Sequence, residues 1–501
     1  MSTSTAPEVI VIGAGLGGLA AAVDLARGGA KVLVLERHNL PGGFATSFVR
    51  GRFEFEPSLH EMGASAALEF LQELDIGLEF HRVPEAYRLL LSDSGTDFRA
   101  PYGLEEFESA VIASLGGQER PVREFLRACA QTFDAFGYLS DHPRPSPKTL
   151  FRDYGDFLRT GGATTDDVAD AVGLSTAARN LIYPYWCYLG VPTNKVSFSI
   201  WGSMIHSYLK YGAVIPKGRS HAITTALADA ISDAGGSIRY NTEVVGLRTE
   251  GRRITGVRTA DGDTIGCDRV VANVIPHRIF GRFVEGSSKI PRRERRLMNA
   301  RRPGMSFFVA YLGLRGSPDE LGFTDYSYFI APHMDTAALI EKTHNRHDPE
   351  PMQASICLNR ADPEASPPGT TILSITTGSQ PEAWSDVTPW TYEREKRRFA
   401  RLVIEQFERA TGIALKNAVE EIETAAPPTF SRYVGSWNGT VYGYEPEPWD
   451  GIVPRALSEN RERFYRNLRF CGGYAYRAYG YGSSLMSGRA AAAKTLEEMS
   501  V

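Results

Sequence analysis

The pattern of apolar and polar positions divides the start of the chain into short, well-marked elements. Glu8 to Ile12 is a brief, continuously apolar run of the kind a doubly covered parallel strand shows. Leu19, Ala22, Val23 and Leu25 then recur at helical spacing within Leu19 to Arg27, and Lys31 to Leu35 is a second apolar run. Strand, helix and strand in this order predict a βαβ unit with a parallel sheet. Further on, an amphipathic helix is expected at Ala222 to Ala234 and a strand around Ser237 to Tyr240. Arg253 to Thr259 and Thr264 to Ala272 read as two strands joined by the turn Ala260-Asp261-Gly262-Asp263. Helices are predicted at Leu104 to Ser114 and Val122 to Phe136, and strands at Ser306 to Leu312, Ala354 to Leu358 and Thr371 to Thr376.

Between the first strand and the first helix stands Gly13-Ala14-Gly15-Leu16-Gly17-Gly18. Each glycine of this G-x-G-x-x-G spacing has a task. Gly13 turns the chain out of the strand, Gly15 lets backbone approach a pyrophosphate, and Gly18 lets the helix pack closely on the sheet. The helix start then offers unpaired N–H groups to phosphate charge. Glu36 ends the second strand, about 20 residues past the glycines, where a carboxylate accepts hydrogen bonds from ribose hydroxyls and repels a 2′-phosphate. The reading is a Rossmann-type dinucleotide site, with Gly17 inside the same turn.

The stretch after the acid decides which dinucleotide. Arg37-His38-Asn39-Leu40-Pro41-Gly42-Gly43-Phe44-Ala45-Thr46-Ser47 allows a second close backbone approach at Gly42 and Gly43. Here the sequence resembles the flavoprotein superfamily of phytoene desaturases, carotenoid isomerases, retinol saturases and amine oxidases, in which a twin-glycine segment lies along FAD. The resemblance implies FAD as cofactor, a glutathione-reductase-like fold, and contacts to the cofactor from Glu36, Arg37, Gly42 and Gly43.

Three later segments carry the same resemblance. Gly212-Ala213-Val214-Ile215-Pro216-Lys217-Gly218-Arg219 leads to Asn241-Thr242-Glu243-Val244, and in similar proteins the matching valine packs near the adenine, although Val244 also suits an ordinary buried strand position. Ala272-Asn273 matches a strand end beside the cofactor. Asn467 to Gly473, then Gly482-Ser483-Ser484-Leu485-Met486, looks like the closing motif, with Gly472, Gly473, Ser483, Ser484 and Leu485 at a helix start that faces the flavin. Cys471 departs from the small apolar residue usual there and is expected to be packed, not joined to flavin.

Phe53-Glu54-Phe55-Glu56-Pro57-Ser58-Leu59-His60 resembles the segment after the twin glycines in retinol saturases and carotenoid isomerases, with Glu56 and Pro57 where many relatives have aspartate and glycine. His60 is the candidate catalytic residue, for positioning substrate or moving a proton; a purely structural histidine is the competing reading. Gly439-Thr440-Val441-Tyr442-Gly443 is expected near a substrate cavity, and the aromatic clusters at Tyr183 to Tyr188, Trp437 to Tyr444 and Tyr474 to Tyr481 suit a long apolar ligand.

At 501 residues the chain is long enough for about two domains. The expected class is α/β: a discontinuous FAD-binding domain from residues 1–100, 212–290 and 425–501, and an inserted α+β substrate domain from 101–211 and 291–424. Composition is ordinary for a globular protein, with 43% hydrophobic and 23% charged residues and a net charge of −4. The arginines at 292–296 and 301–302 read as solvated helix surface, so nucleic acid is not an expected partner. Five cysteines without a C-x-x-C pair argue against a disulfide framework or a metal site and fit a reducing compartment. No apolar run approaches the roughly 18 residues of a membrane span. The expected location is the cytoplasm, with a peripheral membrane contact as a further expectation. The leading function is FAD-dependent chemistry at carbon–carbon bonds of a lipophilic isoprenoid-like or polyene substrate, by desaturation, saturation or cis-trans isomerisation, with an external electron acceptor or donor. The alternatives are an amine or amino-acid oxidase and a non-catalytic FAD-binding escort protein.

Overall fold

The computed structural model describes residues 6–142, 144–284, 290–446, 451, 464–475 and 479–500. Within the Tyr474 to Tyr481 cluster, residues 476–478 lie outside the described residues, as does most of 447–463 in the expected 425–501 segment.

Five strands from distant parts of the chain form one parallel sheet, in the order Ser237–Arg239, Val32–Leu35, Val9–Ile12, Arg269–Ala272, Leu468–Phe470. The two apolar runs at its centre are buried throughout because both faces are covered. Val9, Val11, Val32 and Val34 point into a core shared with the Leu16–Arg27 helix and with Leu485, Ala491 and Ala492 of the closing helix, Tyr481–Met499. Ile10, Ile12, Leu33 and Leu35 point the other way, onto the three-stranded antiparallel sheet of Val244–Glu250, Arg253–Thr259 and Thr264–Gly266. The period-two alternation of strand side chains thus binds both layers to one sheet.

The expected single strand Thr264 to Ala272 is two strands. Thr264–Gly266 pairs antiparallel with Arg253–Thr259, whereas Arg269–Ala272 pairs parallel with Val9–Ile12. The chain changes sheets at Cys267 and Asp268, whose N–H groups donate to the Thr255 and Glu8 carbonyls at 3.2 and 3.1 Å.

A second, seven-stranded sheet runs Val419–Ala425, Phe307–Arg315, Thr370–Gly378, Gln353–Cys357, Ser327–Ala331, Tyr87–Leu91, Thr96–Ala100. Its last two strands fall in the expected 1–100 cofactor segment, yet hydrogen-bond here, through parallel pairing of Tyr87–Leu91 with Ser327–Ala331. Tyr87, Leu89 and Leu91 face helices such as Glu119–Asp141 and Phe198–Tyr211, while Leu90, Tyr328 and Ile330 face the long helix Pro389–Thr411. Phe307, Val309 and Tyr311 turn towards a third core with Phe53, Phe55, Ala213 and Ile215. The architecture is an α/β cofactor-binding fold with an inserted domain.

Candidate cofactor and substrate site

Glycine geometry shapes the dinucleotide end. Gly13 leaves its strand at φ +92°, and a Cβ on Gly18 would sit inside the Gly13 carbonyl oxygen, so strand end and helix start touch backbone to backbone. The Gly42 N–H donates to the Ala14 carbonyl at 2.8 Å, laying the twin-glycine segment, with φ of +127° and +64° at Gly42 and Gly43, against Gly15. Glu36 is buried and oriented: one carboxylate oxygen accepts from the Ala14 N–H at 2.7 Å, the other from the His38 N–H at 2.8 Å. Each oxygen keeps a lone pair for a hydroxyl donor. The Thr242 N–H donates to the Glu36 carbonyl at 2.8 Å, which brings Val244, 4% exposed, to the same end of the sheet.

Arg37 is tied to the 433–435 segment, its guanidinium donating to the Tyr433 carbonyl at 2.8 Å. Arg278 donates to the neighbouring Gly435 carbonyl at 3.3 Å; burial, and then the positive charges of Arg37 and Arg282, push its pKa down. A concentration of like charge of this kind favours an anion nearby. Arg278 is not apparent in the sequence, because only the tertiary fold brings it to Arg37.

The closing motif meets the glycine turn directly. A Cβ on Gly17 would collide with the backbone of Gly472, itself at φ +85°, and Gly488 lies equally close to the Gly17 carbonyl. Gly473 follows, and Ser483 and Ser484 occupy the first turn of the closing helix, while Leu485 is wholly buried against the first helix. Cys471 is 2% exposed, its N–H donating to the Ala272 carbonyl at 3.1 Å, and burial pushes its thiol up, so it is a packing residue. Both helix starts, after Gly15 and after Gly480, lack a side-chain cap and an acidic residue in the first turn. Uncapped N–H groups, an oriented carboxylate and two arginines form the donor and acceptor set that an adenosine diphosphate requires, so these residues fit FAD.

Beyond the closing helix opens a cavity of about 1180 Å³. It runs past Tyr481 and Ser483, over Phe307, Val309 and Tyr311, to Ser140 and His142 at the end of helix Glu119–Asp141. Val441 and Tyr442 of the expected cavity loop line it, and the Tyr442 hydroxyl donates to the Cys187 carbonyl at 3.0 Å. At its base Glu56 accepts from the Ser220 N–H and hydroxyl at 2.9 and 2.7 Å, and Tyr481 bridges the Ser220 and Ser58 hydroxyls at 2.8 and 3.1 Å.

His60 is in the cavity wall, its Nε2 at 3.0 Å from the Thr376 hydroxyl and its ring edge-on to Tyr188. Its partial exposure is to the cavity interior, and burial lowers its pKa to about 4, so the imidazole is neutral at physiological pH. The next residue, Glu61, is a candidate the sequence reading misses. It too faces the cavity, 6% exposed; the Tyr188 hydroxyl donates to Oε1 at 2.6 Å, and Oε2 has no hydrogen-bond partner. Burial raises its pKa to about 8, against the hydrogen bond from Tyr188 and aided by Glu85.

Fold and site together define a flavin-dependent oxidoreductase with FAD as its cofactor. Residues 16–496 match the family described as flavin containing amine oxidoreductase, and the chain belongs to that family. Among curated relatives it is 26% identical over 474 residues to a prolycopene isomerase of Daucus carota, covering 88% of this chain and 72% of the relative. It is 23% identical over 475 residues to an all-trans-retinol 13,14-reductase of Homo sapiens, covering 87% and 77%. It is 26% identical over 513 residues to a hydroxyneurosporene desaturase of Cereibacter sphaeroides, covering 98% of each. Of solved structures, a putrescine oxidase double mutant aligns with a TM-score of 0.67 at 15% identity, covering 98% and 99% of the two chains. Reduced UDP-galactopyranose mutase aligns with 0.62 at 13%, covering 98% and 96%; at these identities the likeness is one of fold.

Two outcomes follow from this geometry. Glu36→Gln removes charge from a hydrogen-bonded ribose acceptor, so FAD affinity falls by roughly 10- to 100-fold, read as flavin content and dissociation constant of the purified protein. Glu61 gives a pH signature. Unfolded, its carboxyl ionises near 4.5; folded, it stays protonated to about 8. Between those values rising pH favours the unfolded state. Glu61→Gln therefore becomes progressively more stable than wild type, by up to about 1.4 kcal/mol per pH unit, in denaturant titrations from pH 5 to pH 8.

Proposed function

We propose that this protein acts on carbon–carbon double bonds of a lipophilic isoprenoid-like or polyene substrate, by desaturation, saturation or cis-trans isomerisation. The observation that carries the reading is the cavity: about 1180 Å³, walled by Tyr, Phe, Leu and Met side chains, and leading away from the start of the closing helix. Ligand sites for drug-sized molecules span about 300–1,000 Å³, so there is room for a flavin ring and a long, slender substrate end to end. The activities for which the relatives are named, on prolycopene, retinol and hydroxyneurosporene, support the same class.

Bound FAD supplies reversible two-electron chemistry. The chain's own part is to orient the substrate along the aromatic wall, exclude water, and hold the neutral His60 and the protonated Glu61 beside it. Electrons enter or leave through an external carrier. The cofactor-carrying segments are 1–100, 212–290 and 425–501, less the strands Tyr87–Leu91 and Thr96–Ala100 that pair in the second sheet.

The test is anaerobic and aerobic incubation of the holoenzyme with retinol, prolycopene and hydroxyneurosporene, following product and flavin absorbance. Turnover of one of them is expected. Absence of turnover with reduced and oxidised enzyme alike overturns the reading, peroxide release from an amine panel favours the oxidase, and flavin that no compound reduces or reoxidises favours the escort protein.

A peripheral membrane contact belongs to this reading, since such substrates reside in bilayers. No helix among the described residues is long and apolar enough to cross a membrane. However, Phe151, 77% exposed, and Leu158, 40% exposed, stand on the short helices Pro147–Asp153 and Gly155–Thr160, next in the chain to the cavity-lining Asp141, His142 and Pro145. Lys148 accompanies them. Wild type is expected to float with anionic phosphatidylserine vesicles and Phe151→Asp to float several-fold less; wild type left wholly in the soluble fraction removes the contact.

A further inference from the structure

Glu61 is a buried carboxyl, and only one of its two oxygens has a hydrogen-bond partner among the described residues, with Tyr185 adding a weaker interaction. Oε1 accepts the Tyr188 hydroxyl at 2.6 Å, whereas Oε2 is buried and has no hydrogen-bond partner among the described residues, in a side chain that belongs to the cavity wall. Leaving a buried polar atom unmade costs about 1–3 kcal/mol, and such atoms call for a functional account. Its neighbours are arranged to keep it neutral. Tyr102, Tyr185, Tyr188, Tyr208 and Tyr326 lie within its electrostatic reach, and burial pushes each of these hydroxyls up, so none is charged. His60, on the same segment, is neutral too, and the nearest acid in electrostatic reach is Glu85, itself raised by burial. No cation in this group stabilises a carboxylate, and the side chain that holds the proton belongs to the cavity wall.

We propose that Glu61 is the proton donor to a substrate double bond in this cavity, in the reductive, saturating direction. The proposal rests on the polyene reading and deepens it by giving the site a direction. The π bond of one C=C opens. One carbon takes up an electron pair with a hydrogen as hydride from flavin reduced by an external two-electron donor, and its neighbour takes the proton from Oε2. Two C–H bonds form, the flavin is left oxidised, and the Glu61 carboxylate regains its proton from water. Glu61 is suited to giving a proton because its neutral acid is the resting form, and the Tyr188 hydroxyl that bonds Oε1 is placed to stabilise the carboxylate left behind.

The experiment compares wild type, Glu61→Gln and Glu61→Asp. The first readout needs no turnover: the infrared band of a protonated carboxyl at pH 7, in apoprotein and holoprotein, is expected in wild type and absent from Glu61→Gln. The second is single turnover of dithionite-reduced holoenzyme with retinol, prolycopene and hydroxyneurosporene in D₂O. Wild type is expected to place one solvent deuteron on the saturated carbon. Glu61→Gln is expected to bind the probe with unchanged affinity but to react roughly 100-fold or more slowly, with Glu61→Asp recovering part of the rate. The proposal is overturned if the infrared band is missing in wild type, or if Glu61→Gln binds and saturates a probe at the wild-type rate. It is also overturned if wild type converts a probe only by desaturation or isomerisation. If wild type converts none of the probes, the polyene reading fails with it, whereas turnover that is insensitive to residue 61 removes the proposal alone.

Discussion

The structure depends on backbone meeting backbone at one point. The first strand, the first helix, the closing strand and the closing helix come together where Gly13 touches Gly18, Gly17 touches Gly472, and Gly488 touches Gly17. Any side chain at these positions would drive the elements apart by the diameter of a methyl group, in an interior that does not yield. This contact aligns two uncapped helix starts towards one ligand although their glycines lie more than four hundred residues apart in the chain. It also forces the intervening segments to leave the sheet and return, so the second sheet and its helices are insertions into a framework closed by its two ends.

Constraints of this local kind can be read in a sequence; others cannot. Gly13, Gly15, Gly18 and Glu36 stand out because strand, turn and helix impose fixed spacing; Gly13 has the positive φ and Gly18 the close backbone approach that the turn needs, and Glu36 is held by the Ala14 N–H. The change of partner at Cys267 and Asp268 is hidden, since Thr264 to Ala272 is continuously compatible with extended chain and only tertiary pairing decides which sheet each half joins. Tyr87–Leu91 and Thr96–Ala100 are hidden for the same reason: their partner, Ser327–Ala331, lies more than two hundred residues away. His60 is visible through a family resemblance. Glu61 is invisible, because a glutamate in an exposed loop and a glutamate buried against Tyr188 in a cavity wall look alike until the distant segments that bury it are assembled.

The two ends of the site use electrostatics in opposite senses. At the dinucleotide end, helix starts, Arg37 and Arg278 gather positive potential, and burial, then the charges of Arg37 and Arg282, push the Arg278 pKa down. In the substrate cavity, burial suppresses charge: His60 does not hold a proton and Glu61 does not release one near neutral pH. The dinucleotide end thereby suits an anionic group, whereas the space beyond the closing helix favours a ligand with no charge to desolvate.

That division bears on how one fold serves different chemistries. The likeness to a putrescine oxidase and to UDP-galactopyranose mutase extends over nearly the whole chain at 15% and 13% identity, so the framework persists while its substrates do not. Here the cavity wall is supplied by the inserted helices, the seven-stranded sheet and the 439–443 loop. The glycine contacts leave little freedom for change, but the wall residues are joined to the cofactor only through the cavity they enclose. A neutral acid such as Glu61 can therefore arise on the wall without disturbing the anion site, and it alters what the bound flavin can accomplish by determining where a proton is available.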